Sequence, residues 1–215
     1  MPQPSSIAIR QEWQTAWSTP AFRRKMITGL ILIFATLSVF PVFFPWIEGR
    51  PGEVLNDPLL RLLPPHNVSI AIFILIWALS LLAIFRAVQN PRILLTFVWA
   101  YVLLSLIRFI TITLVPLDPP AGLIPLADPL SNFFYGPRFV TKDLFFSGHT
   151  STMFLLFFCL QGKGDRRLAL IVTLGVAVLL LIQHVHYTMD VLFAFPFGWL
   201  CWWIVAHTVA RDYRP

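Results

Sequence analysis

Apolar runs separated by short polar or proline-rich breaks dominate this chain. They lie at about 26–46, 69–89, 92–116, 144–160, 168–183 and 186–209. Most approach the ~20 residues that carry an α-helix across ~30 Å of hydrocarbon. The breaks fall at Glu48–Asn67, Asn90-Pro91, Leu117–Lys142 and Gly162–Arg167, where turn formers cluster. The junction between the fifth and sixth runs, near Gln183–His186, must be very tight. Ahead of the first run, Ile9, Trp13 and Ala16/Trp17 recur at helical spacing, with Arg10, Glu12 and Gln14 between them. That pattern predicts a helix lying in the membrane interface, with Arg23-Arg24-Lys25 among the headgroups. The expected architecture is an all-α integral membrane protein. A six-transmembrane helix bundle spans 26–209, a basic cytoplasmic segment with the interfacial amphipathic helix occupies 1–25, and a cytoplasmic tail occupies 210–215.

Composition sharpens this picture. Hydrophobic residues make up 57% of the 215 and charged residues 12%, about half the charge of a soluble domain. One membrane domain fits the length, and a second folded domain does not. The first run starts too late and ends in Pro-Trp, unlike a cleavable signal peptide. Cys159 and Cys201 fall inside apolar runs and say nothing about redox compartment.

The basic residues set the orientation. With the N-terminus inside, Arg10, Arg23, Arg24, Lys25, Arg86, Arg92, Lys163, Arg166, Arg167, Arg211 and Arg214 are cytoplasmic, 11 of the 16. Arg50, Arg61, Arg138 and Lys142 fall outside. On this topology His149, His186, Asp190 and Arg108 converge on the outer edge of the membrane, although none of them was used to choose it.

Three segments carry candidate chemistry. In Asp143-Leu-Phe-Phe-Ser147-Gly148-His149-Thr150, Ser147 is a candidate N-cap and Gly148 permits close backbone approach. The free amides of a helix start attract an anion, which would face His149. A capped helix start with no further role accounts for the same residues. In His186-Tyr187-Thr188-Met-Asp190, positions i and i+4 share a helix face, so the carboxylate reaches one imidazole nitrogen and leaves the other basic. A structural pair anchoring a helix end is the alternative. Arg108, about 12 Å below the end of the third run, either grips phosphate or pairs with an acid such as Asp57, Asp118 or Asp128. His184 is assigned a structural role, because it points elsewhere on a helix. His66 and His207 have no compelling partners in the sequence.

The two histidine segments together resemble the sphingomyelin synthase family of lipid phosphotransferases, relatives of the type-2 phosphatidic acid phosphatase superfamily. Arg108-Phe-Ile-Thr111-Ile-Thr113-Leu-Val-Pro116 is similar to that family's third-span motif. Asp57-Pro-Leu-Leu-Arg-Leu-Leu-Pro64-Pro65 looks more loosely like its proline-rich first outer loop. Trp202-Trp203 followed by His207 resembles its final-span ending. The likeness covers roughly 55–207. It implies six spans and transfer of a phospho-headgroup from a glycerophospholipid to a lipid alcohol, without metal or other cofactor. It also implies that His186 attacks phosphorus, Asp190 orients it, and His149 passes a proton to the leaving oxygen. Thr141-Lys142-Asp143 stands where the family has Cys-Gly-Asp, so headgroup contacts there differ. The phosphate-binding set then comprises Arg108, Ser147, Gly148, Asp143, Lys142 and Tyr187.

The function expected is movement of phosphocholine or phosphoethanolamine to ceramide or diacylglycerol. The partners are membrane lipids as donor and acceptor, with no nucleic acid. A phosphatase or phospholipase C-like hydrolase using the same site is the alternative, followed by a non-catalytic lipid transporter and a metal hydrolase. The site faces the periplasm or lumen, and the short chain fits a bacterial inner membrane.

Overall fold

The computed structural model describes residues 5–126 and 140–211. Asp128, Arg138 and most of the expected tail lie outside them. Among the described residues the chain forms eight helices: α1 Ser6–Ser18, α2 Pro20–Glu48, α3 Pro58–Leu62, α4 Ser69–Gln89, α5 Pro91–Leu114, α6 Gly148–Cys159, α7 Lys163–Ile182 and α8 Thr188–His207. The only extended pairing described is a single bridge between Glu53 and Leu117.

Local chemistry sets the helix starts. Ser5 caps α1 through Ala8 N–H (3.2 Å), and Asn90 caps α5 through Arg92 N–H (2.9 Å). Pro91 follows Asn90 at the first position of α5, where its missing N–H is no loss. The same Asn90-Pro91 pair therefore ends α4 and starts α5 with no intervening loop.

Four of the described helices are long and apolar enough to cross a membrane: α2, α4, α5 and α8. Their outward faces carry large apolar side chains, such as Phe34 at 73% exposed and Ile70 at 79%. Lipid contact, rather than water, suits such a surface. The other two apolar runs behave differently. α7 has length enough, but Asp165, Arg166 and Arg167 occupy its start. α6 holds 12 residues, about 18 Å of helix, because 140–147 approaches it without forming helix. The run expected to begin near 144 thus begins as a buried loop, with Leu144 and Phe146 packed inward.

α6 sits centrally, closest to α7 and α8, while α2 packs on α5 and α4 on α7. Phe146 stacks on Phe197 with ring centroids 4.4 Å apart, within a core that includes Leu104, Leu155 and Ala194. Gly198 lets α8 approach α6 closely, since a Cβ there would sit 3.1 Å from Ser151 O.

Polar contacts mark the two ends of the bundle. At one end Trp13 Nε1 donates to Val88 O (2.7 Å), Lys25 Nζ to Val209 O (2.8 Å), and Arg86 holds Asp165 with two bonds. Ala8, Ile9, Trp13 and Ala16 of α1 are half-buried, and the rest of its surface is exposed. At the other end Glu48 meets Thr141, Gln183 meets Ser69, and Arg108 meets Asp143. All the candidate catalytic residues lie there.

Candidate active site

Asp190 is the third residue of α8 and is fully buried. Its Oδ1 accepts from Phe145 N–H (3.1 Å), and its Oδ2 accepts from Tyr187 N–H (3.1 Å). His186 Nδ1 lies 3.3 Å from the same Oδ2. A carboxylate only accepts, so Nδ1 is the donor of this pair, and in the neutral imidazole the lone pair is then on Nε2. The pairing arises differently from the expectation of a shared helix face. His186 precedes α8, and the chain at 186–187 folds over a carboxylate that also satisfies a free amide of the helix start.

The second histidine motif is tied to the first through the backbone. Ser147 N–H donates to Asp190 O (2.9 Å). The Ser147 hydroxyl accepts from Thr150 N–H (3.3 Å), capping α6 as its position predicts. His149 is the second residue of that helix and half-buried.

Arg108 meets this corner from α5. Its Nη2 lies 2.5 Å from Asp143 Oδ1, and its Nε donates to Phe146 O (3.2 Å). The guanidinium rests on Gly148, where a Cβ would come within 2.6 Å of Cζ. The acid partner is therefore Asp143, not Asp57 or Asp118, and Asp128 lies outside the described residues.

The remaining predicted residues brace the outer loops. Lys142 pairs with Asp118 (2.7 Å) and donates to Arg50 O (2.5 Å). The Tyr187 hydroxyl donates to Asp118 O (2.9 Å) and accepts from Leu55 N–H (3.1 Å). His184 is not on a helix. It occupies the turn before α8 with φ 54°, its ring nitrogens 2.8 Å from Ala121 O and 2.9 Å from Leu63 O. That is the structural role expected of it, reached from a different conformation.

Two braces went unnoticed in the sequence. Asp57 receives Thr188 N–H (2.6 Å) and Thr188 Oγ1 (2.9 Å), so the first outer loop caps the helix that carries Asp190. Glu48 receives Thr141 N–H (2.6 Å) and Lys142 N–H (2.7 Å), fixing the strap that leads to Asp143. The Asp57-Pro pair was a signal for a helix cap, although nothing in it pointed to Thr188. Glu48 offered none.

Residues 142–208, from Lys142 through both histidines to the end of α8, match the family model described as PAP2 superfamily C-terminal. This segment belongs to the type-2 phosphatidic acid phosphatase superfamily. No curated protein matches the chain. The PAP2 segment contains Asp143, Ser147, Gly148, His149, His186 and Asp190. Arg108, Glu48 and Asp57 reach it from the preceding helices and loop. The match suggests phosphatase- or phosphotransferase-type chemistry on lipids, and four helices long and apolar enough to cross a membrane are consistent with a multi-pass membrane protein.

Proposed function

We propose that the protein transfers a phospho-headgroup, phosphocholine or phosphoethanolamine, from a glycerophospholipid to a lipid alcohol such as ceramide or diacylglycerol. The observation that carries this reading is the His186–Asp190 pair, with its free Nε2, joined by a backbone hydrogen bond to the helix start that bears His149.

In the reaction His186 Nε2 attacks phosphorus and the bond to the diacylglycerol oxygen breaks. His149, protonated, gives its proton to that oxygen. Asp190 stabilises the positive charge that the phosphorylated imidazole acquires. The acceptor hydroxyl then loses its proton to His149 and attacks phosphorus, and His186 is released. Arg108 keeps positive charge beside Gly148, where the phosphate oxygens would lie. No step requires a metal or another cofactor.

Burial of His186, 3% exposed, favours transfer over hydrolysis, since water must be kept from the phospho-histidine. The membership of residues 142–208 favours hydrolysis as the second reading, because the superfamily takes its name from a phosphatase. In the membrane, α2, α4, α5, α6, α7 and α8 form six crossing segments, with α6 completed by the strap at 140–147. α1 lies in the cytoplasmic interface, and the site faces the periplasm or lumen, in a bacterial inner membrane.

The test uses purified protein, labelled phosphatidylcholine or phosphatidylethanolamine, and vesicles with or without ceramide. Label moves to ceramide only when ceramide is present. Equal headgroup release without acceptor sinks transfer in favour of hydrolysis. Lipid movement that survives His186→Ala sinks both in favour of a transporter.

A further inference from the structure

A cavity of about 500 Å³ opens between the two outer loops. Its lining includes His184 and Tyr187, two residues before and one residue after His186, but His186 itself does not line it. Most of its polar groups are already committed. Asp57 receives donors from Leu59, Leu60 and Thr188, the last through both backbone and hydroxyl. Tyr187 Oη and both nitrogens of His184 are held by backbone groups.

Arg61 and Asn56 differ. Both line the cavity, and among the described residues neither side chain has a hydrogen bond or ion pair. Arg61 sits on α3 between leucines that face outward, Leu59 at 41% exposed and Leu62 at 79%. Leu55 and the prolines 64, 65 and 120 supply apolar wall.

We propose that this cavity binds the phosphate of a phospholipid from the outer leaflet, gripped by Arg61 with Asn56 beside it. A guanidinium on an apolar wall matches a phosphate attached to a glycerol backbone. Exposed leucines on a short surface helix settle at the boundary between headgroups and acyl chains. Asp57 does not repel the anion strongly, because its charge is spread over four donors within the protein. Tyr187 of its lining is next to the nucleophile in sequence, yet His186 is not part of the cavity wall. It serves as a holding site for a lipid beside the catalytic pair. This assignment rests on the outward membrane placement proposed above and not on the reaction.

The experiment measures thermal unfolding of the full chain in uncharged detergent, in the His186→Ala background so that no lipid is consumed. His149→Ala supplies a second background in case the first fails to fold. Dioleoylphosphatidylglycerol raises the midpoint by about 3–6 °C at tenfold excess over its Kd. Arg61→Gln removes that shift and Arg61→Lys keeps part of it. Inorganic phosphate alone produces little shift, because it makes no use of the leucines. A full shift from inorganic phosphate, lost in Arg61→Gln, keeps the phosphate site and assigns it to a soluble ligand, overturning the lipid. No shift in the parent, or an equal shift in Arg61→Gln, overturns the site. Turnover retained by His186→Ala would end the proposed reaction and leave this binding result intact.

Discussion

Ser147 donates its backbone N–H to the carbonyl oxygen of Asp190 at 2.9 Å. This bond locks the start of α6 to the start of α8, so His149 and His186 are held by one rigid corner. Phe145 N–H strengthens the lock by donating to the Asp190 side chain. A loop and a helix that share one buried carboxylate cannot move independently, and preorganisation of this kind is what a transfer site needs.

Asp190→Asn therefore damages more than charge. The carboxylate accepts from three groups, whereas an amide presents hydrogens on one of its two ends. Either His186 Nδ1 or a backbone N–H then faces a donor. Turnover should fall by about 10²–10⁴, and unfolding should come earlier by a few kcal/mol, on the order of a broken buried charge–hydrogen-bond set. Headgroup release from labelled lipid and thermal unfolding measure the two losses. Unchanged turnover would remove Asp190 from the site.

Gly148→Ala tests the packing under Arg108. The new methyl would lie 2.6 Å from Cζ and 2.9 Å from Nη2, so the guanidinium must shift off Asp143. The expected result is a loss of turnover of about 10² with the fold retained, as for a displaced positioning group. In an Arg108→Ala background the same change should cost almost nothing further, because the obstacle is gone. Additive losses in the double variant would show that Gly148 acts by some other route.

Much of this arrangement was legible in the sequence, for reasons that differ by residue. The apolar runs located α2, α4, α5 and α8, because helices exposed to lipid must be apolar around most of their surface. Ser147 was readable as a cap and His186/Asp190 as a pair, because both depend on neighbours within a few positions. The start of α6 was misplaced, since Leu144 and Phe146 are as apolar in a buried loop as in a helix. Arg108 was readable as a buried charge but not as the partner of Asp143, which is a contact between distant segments. Glu48 and Asp57 failed for the same reason: their partners, Thr141 and Thr188, are set by tertiary packing alone.

Asp57 makes a pH prediction. Burial pushes its carboxyl up, but donors from Thr188, Leu60 and Leu59 outweigh this and hold it below its ordinary value. A depressed value in the folded protein stabilises the fold above the ordinary carboxylate range, and that contribution disappears as pH falls through the lowered value. Asp57→Asn should thus lower stability by about 1 kcal/mol near neutrality, the usual cost of a lost cap. Toward about pH 3 the difference from wild type should shrink. Unfolding midpoints across that interval check it, and a difference that grows on acidification would reverse the sign and refute the cause.

The two histidines should separate by leaving group. In the proposed reaction His149 is needed because a diacylglycerol oxygen departs poorly without a proton, whereas His186 is needed to form the bond to phosphorus. An aryl phosphodiester whose phenolate leaves unaided dispenses with the first requirement and keeps the second. His149→Ala should lose about 10²–10⁴ in turnover of the natural lipid, whereas on the aryl ester its first release of phenolate, though not its steady-state turnover, should recover. His186→Ala should be inactive on both. The recovered activity should also show a burst of phenolate, because departure of the phospho-group from His186 still requires deprotonation of the acceptor by the missing imidazole. Equal losses for the two variants on the aryl ester would mean that His149 is not the proton donor, and the division of labour between α6 and the α8 turn would have to be redrawn.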